Sequence, residues 1–264
     1  MNAFETLHIA IDARGVATLT LNRPERHNAL SGLMIDELTT AALHLADNPG
    51  IRIVILTGVG VSFCAGGDLG WMQEQVKATR AQRIEEARKL ALMLKALLDL
   101  PKPLIGRING QAYGGGVGLI SICDAAIAVS GARFGLTETK LGLIPATISP
   151  YVVARIGQAH ALRTFTSARI FDAHEARRIG LLTAVVEPEN LDAAIEAEIK
   201  PYFSTAPAAV AASKRLVHAL GAPIDETVIE MTLTRLADIW ETPEAAEGIA
   251  AFFAKQLPSW KREE

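Results

Sequence analysis

Two glycine-rich segments hold the positions best suited to chemistry. They are Ser62-Phe63-Cys64-Ala65-Gly66-Gly67-Asp68-Leu69 and Asn109-Gly110-Gln111-Ala112-Tyr113-Gly114-Gly115-Gly116-Val117-Gly118. Each follows a run that reads as a strand, where α/β proteins set their ligand loops. Lacking a side chain, a glycine lets its backbone N–H come close to a ligand. The plainer reading of the first segment is a tight turn. The second opens a helix, whose first N–H groups lack partners and whose dipole favours negative charge. A phosphate is one candidate ligand. However, neither segment runs into Gly-Lys-Ser/Thr, and the Gly-x-Gly-x-x-Gly spacing is absent, so the nucleotide fingerprints fail. The other candidate is an oxyanion hole, in which two strand-end N–H donors converge on one oxygen.

Few side chains compete with these loops. The six histidines are scattered, with no His-Glu-x-x-His and no Cys-x-x-Cys, so no metal site is expected. Gly-x-Ser-x-Gly is missing, and Cys64 reads as a small buried filler rather than a nucleophile. Asp124, at the entrance of a strand, reads as a turn or cap residue. The remaining acid or base is Glu138, in Phe134-Gly135-Leu136-Thr137-Glu138-Thr139-Lys140-Leu141-Gly142. Taken alone, a glutamate beside a lysine reads as a solvated surface residue.

The elements that must position these groups follow from pattern. Residues 7–12 and 16–22 alternate around Ala13-Arg14-Gly15, a hairpin. Ser31 caps a helix that Asn48-Pro49-Gly50 stops. Residues 51–57 are a β-branched run, hence a buried strand. A long charged helix is expected over 72–98, then strands at 104–109 and 125–129 with a short apolar helix between them. This order predicts stacked ββα units. From Ile148 onward helices dominate, at 151–156, 160–166 and 173–179, with four more beyond Glu189. Only 183–186 reads as a strand there.

Composition bounds the rest. With 264 residues, half of them hydrophobic, and a formal net charge of −3, the chain buries a sizeable core and is not disordered. That charge gives no footprint for nucleic acid. Two cysteines make no disulfide framework, which fits a reducing cytoplasm. Glu5 and His8 interrupt any export signal, and Lys95, Asp99 and Asp124 break the apolar stretches short of a membrane span.

In this order, the pieces resemble the enoyl-CoA hydratase/isomerase (crotonase) superfamily over nearly the whole chain. The match begins at Leu21-Asn22-Arg23-Pro24-Glu25-Arg26-His27-Asn28-Ala29-Leu30 and runs through both glycine segments to 134–145. It resumes at 173–182 and at Glu247-Gly248 with Phe252 and Lys255. The resemblance implies an α/β crotonase (ClpP-like) fold of stacked ββα units. Residues 1–189 would form the spiral core with the CoA site, and 190–264 a C-terminal helical trimerisation region. It implies an acyl-CoA thioester substrate, a homotrimer or dimer of trimers, no metal, and no cofactor beyond the CoA carried by the substrate.

The resemblance also assigns residues. The N–H groups of Gly67 and Gly115 would form the oxyanion hole for the enolate-like thioester oxygen. Ala65, Asp68 and Leu69 would line the CoA and pantetheine path, with Ala65 offering its carbonyl to the adenine. Arg26 and Ala29 match the CoA-binding turn, with Arg26 near phosphate, while Phe252 and Lys255 match residues that complete the CoA site. Hydratases of this family hold a water between two glutamates; Glu138 matches the second, and Gly118 stands at the first. The expectation is a hydratase interconverting a 2-enoyl-CoA and a 3-hydroxyacyl-CoA. The alternatives are an isomerase shuttling a proton on Glu138, or a non-catalytic CoA-binding homologue. Gly-Gly-Gly-Val-Gly-Leu with Ile-Pro-Ala-Thr-Ile-Ser-Pro resembles the methylglutaconyl-CoA hydratase branch, which implies a branched or carboxylated acyl chain and leucine breakdown.

Overall fold

The alternating residues around Ala13-Arg14-Gly15 form the antiparallel hairpin that their pattern predicts. In the computed structural model, which describes residues 4–261, β1 (Leu7–Ile11) pairs with β2 (Val16–Leu21), setting Leu7 opposite Leu21. In α1 (Gly32–Asp47), the Ser31 side chain accepts from the Met34 N–H, and Met34, Ile35, Leu38 and Leu45 turn inward. β3 (Ile53–Gly58) is buried along its whole length and runs parallel to β2.

A unit then repeats: a long strand, a three-residue strand, a helix. β3 is followed by β4 (Ser62–Cys64), α2 (Leu69–Lys77) and α3 (Arg80–Leu98). β5 (Leu104–Ile108) leads into β6 (Gln111–Tyr113) and α4 (Gly115–Ser121). β7 (Ala125–Val129) leads into β8 (Arg133–Gly135) and α5 (Ser149–Ser167). After β9 (Ile170–Asp172), α6 (Ala173–Arg178) and β10 (Ala184–Val186), the sheets are complete. The long strands stack in the order β1-β2-β3-β5-β7-β10 and the short ones in the order β4-β6-β8-β9. This is the stacked ββα arrangement that the element order predicts.

Two expectations need correction. The single helix over 72–98 is two helices: Ala78 leaves the helical region at ψ 150, and Thr79 starts α3 with a capping box to Gln82. Beyond Ile148 a further strand exists, β9, which pairs antiparallel with β8 and sets Phe171 opposite Phe134. By contrast, α5 breaks at Gly157 (φ 74), between the two helical stretches read from the sequence.

Four helices close the chain. α7 (Leu191–Ile199) buries Leu191, Ile195 and Ile199 in the main core. α8 (Pro207–Leu220) buries only Ala211. α9 (Glu226–Trp240) packs Ile229 and Leu233 on Ala87 and Ala91 of α3. α10 (Pro243–Ala254) sets Ala245 and Ile249 against Leu143, just past the turn that carries Glu138. The approach is close: a Cβ on Gly248 would lie 2.5 Å from the Leu141 backbone. No helix among the described residues is long and apolar enough to cross a membrane.

Candidate active site

The short sheet explains why distant residues meet. β4, β6 and β8 are parallel neighbours, so their C-terminal ends share one edge. The first glycine loop leaves β4, the second leaves β6, and Leu136-Thr137-Glu138 leaves β8. Ligand sites of open α/β sheets form at that edge. The two loops touch, because Gly66 has φ +94, and a Cβ there would lie 2.8 Å from the Tyr113 carbonyl oxygen. Leu30 fastens the first loop by donating to the Gly66 carbonyl at 2.7 Å and accepting from Asp68 N–H at 2.9 Å. That pattern skips Gly67, and no backbone carbonyl among the described residues accepts from its N–H. Gly115 opens α4, so its N–H has no intrahelical partner either.

These groups line a cavity of about 480 Å³. Ala65, Gly67, Leu69, Gly115, Glu138 and Phe252 all border it, and the remaining wall is mainly apolar, with Trp71, Met72, Leu236 and Trp240 prominent. Glu138 corrects the reading of a solvated side chain. Its Oε2 is buried and has no hydrogen-bond partner. Loss of hydration pushes its pKa up to about 7, so the carboxyl is poised to take or give a proton near neutrality. Gly114 makes room for it, since a Cβ there would lie 2.9 Å from Glu138 Oε1. Burial pushes the Cys64 thiol up to about 12, which removes it as a nucleophile.

Other expected residues stand further off. Asp68 is committed elsewhere: its carboxylate accepts from Gly70 N–H at 2.8 Å, capping α2, and pairs with Arg23 at 2.9 Å. Burial alone would raise its pKa, but the hydrogen bonds from Arg23, Gly70 and Trp71 hold it below the ordinary value. Arg23 was not anticipated from the sequence, and it also donates to the Ala29 carbonyl at 2.7 Å. Ala29 is buried, Arg26 and Lys255 are exposed, and none of the three borders the cavity. Asn28, fully buried, ties the Arg26 turn to the segment that leads into β4 by donating to the Val59 and Ser62 carbonyls. An Asp before a helical run was a legible cap signal; Arg23 and Asn28 gave none.

Gly118 is buried behind the second loop. A Cβ there would lie 2.8 Å from Ile148 Cγ2 and 3.6 Å from Leu94 Cδ1. The space of a side chain is thus already filled, and Glu138 is the single carboxylate among the lining residues described. Gly118→Glu is expected to destabilise the protein by at least ~1–3 kcal/mol through overpacking, without raising activity. Urea denaturation beside a rate assay checks this.

Comparison with known proteins places these features in a family context. The sequence model of a family described as enoyl-CoA hydratase/isomerase matches residues 12–263. The chain is 31% identical to the mitochondrial methylglutaconyl-CoA hydratase of Rattus norvegicus, covering 97% of the chain and 82% of that protein. It is also 31% identical to (E)-benzylidenesuccinyl-CoA hydratase of Thauera aromatica, covering 93% and 95%. The structure matches the crystal structure of an enoyl-CoA hydratase from Shewanella pealeana with a TM-score of 0.80 at 38% identity, covering 97% and 96%.

Proposed function

The chain belongs to the enoyl-CoA hydratase/isomerase family, and on that premise we propose that it adds water reversibly to a 2-enoyl-CoA. The observation that carries this reading is a carboxyl whose buried Oε2 has no partner, on the same cavity as two glycine N–H groups with no backbone acceptor among the described residues. In the proposed reaction, Gly67 and Gly115 donate to the thioester oxygen as it gains charge, and Glu138 handles the proton. Coenzyme A enters as part of the substrate, with no further cofactor. Ala65 and Leu69 would line its path, Arg26, Ala29 and Lys255 would meet its outer end, and Asp68 would act by fixing the first loop.

The wall supports an acyl chain that is mostly hydrocarbon. Lys140 is the single cation among the lining residues described, so a tail carboxylate, as in a methylglutaconyl group, would have to meet it. Isomerisation is a second reading, favoured by the lone carboxylate, because moving a proton between carbons needs one base and no water. Exposed Leu216, Val217 and Leu220 on α8, 61–79% accessible, support burial of that face in a homotrimer or dimer of trimers.

A panel of straight, branched and carboxylated 2-enoyl-CoAs, with their 3-enoyl isomers, tests the reading by absorbance. Loss of enoyl-thioester absorbance with 3-hydroxyacyl product is expected. Turnover of 3-enoyl-CoAs alone would make the protein an isomerase, and turnover of none would remove the enzymatic reading.

A further inference from the structure

A water held by one carboxylate can swing away from the carbon that it must attack. Hydratase chemistry at this site therefore needs a second group on that water. Thr147 is 7% exposed and borders the cavity that holds Glu138. Other buried hydroxyls are bonded within the chain, as Ser121 donates to the Val117 carbonyl, Tyr151 to Ala91 and Thr164 to His160. Thr6, Thr57, Ser62 and Thr232 are bonded too. The Thr147 hydroxyl has no such bond among the described residues. Its oxygen is not sealed from solvent, since Glu138 Oε2 is the one buried side-chain atom without a partner among the described residues, so a water or ligand in the cavity can bond to it. Its location adds to the case. Ile148, the next residue, fills the space in front of Gly118, and α5 begins at Ser149 with the positive end of its dipole nearby.

We propose that Thr147 is a second catalytic residue, whose hydroxyl holds the reacting water. The inference rests on the hydratase reading above. The water donates one hydrogen to Glu138 and the other to Thr147 Oγ1, which aims an oxygen lone pair at C3. Glu138 takes the first proton as the C3–O bond forms, and the C2=C3 pair moves toward the thioester oxygen. The same carboxyl then returns that proton to C2. One water is added, and no proton or electron is left over.

The test compares Thr147→Val, which keeps the shape, with Thr147→Ser, which keeps the hydroxyl, on the best 2-enoyl-CoA of the panel. Thr147→Val is expected to lower kcat for hydration roughly 10- to 100-fold with KM little changed, and Thr147→Ser to restore most of it. A kcat for Thr147→Val within about threefold of the parent overturns the proposal, as does a raised KM with kcat intact, the sign of uniform binding. Equal losses in both variants with matching drops in melting temperature would make the role structural and overturn it too. If the parent protein hydrates no substrate, the hydratase reading itself fails. If it hydrates and Thr147→Val does so equally well, only the role of Thr147 fails.

Discussion

Glu138→Gln is expected to cut kcat for hydration roughly 10²- to 10⁴-fold, the range for losing a required acid–base group. The amide keeps the shape of the side chain and cannot take a proton from water. No second carboxylate borders the cavity among the described residues to share the task. Stability should move the other way. A carboxyl raised from 4.5 to about 7 by burial weakens folding as it ionises. The penalty is absent below the unfolded pKa, grows as pH rises toward 7, and is complete above it, at ~3 kcal/mol. The Gln variant should therefore melt higher than the parent at pH 8 and about equally near pH 4. An inactive variant that is also more stable is not an unfolded one. Thermal melts at the two pH values, beside the rate assay, check both halves. Retention of most of the activity would remove Glu138 from the chemistry.

Gly67→Pro is expected to have the next largest effect, about 10²- to 10³-fold in kcat, the cost of removing one oxyanion-hole donor. The control is Gly67→Ala, which keeps the N–H. A Cβ there would meet nothing closer than the Trp71 ring at 3.8 Å, an ordinary contact. Gly67→Ala controls for the added Cβ, so the gap between the two variants reads the loss of the N–H together with the ring that proline closes on that nitrogen. Equal activity of the two, with melting temperatures showing both folded, would mean that this N–H does not hold the enolate oxygen.

The long strands and most helices were legible because their periodicity extends over enough residues to show. The hairpin, the buried run of β3 and the Ser31 cap are cases in point. Three-residue strands carry too little pattern: β9, Ile170-Phe171-Asp172, buries only Phe171 and exists through its pairing with β8. The break between α2 and α3 was written in the Thr79-x-x-Gln82 capping signal, which the surrounding charged helical pattern hid. In the site, the glycine loops were legible as candidate N–H donors from residue type and position. The burial of Glu138 was not. Its neighbours Thr139 and Lys140 read as surface, and its enclosure comes from distant groups, with α10 resting on the adjoining turn and Leu236 and Trp240 of α9 walling the cavity. Gly118 marked the missing carboxylate in sequence, but that Ile148 closes the space could emerge only from packing.

The proposed hydration turns on one buried carboxyl that ionises near neutrality and carries the proton. The pH dependence of kcat/KM for hydration of a 2-enoyl-CoA tests it most directly, since that ratio reports the ionisations of the free enzyme. A single rising limb with an apparent pKa of about 7 is expected, roughly tenfold per pH unit below it and level above, and it should disappear in Glu138→Gln. A profile that is flat from about pH 5 to 9, or one that survives the substitution unchanged, would contradict it.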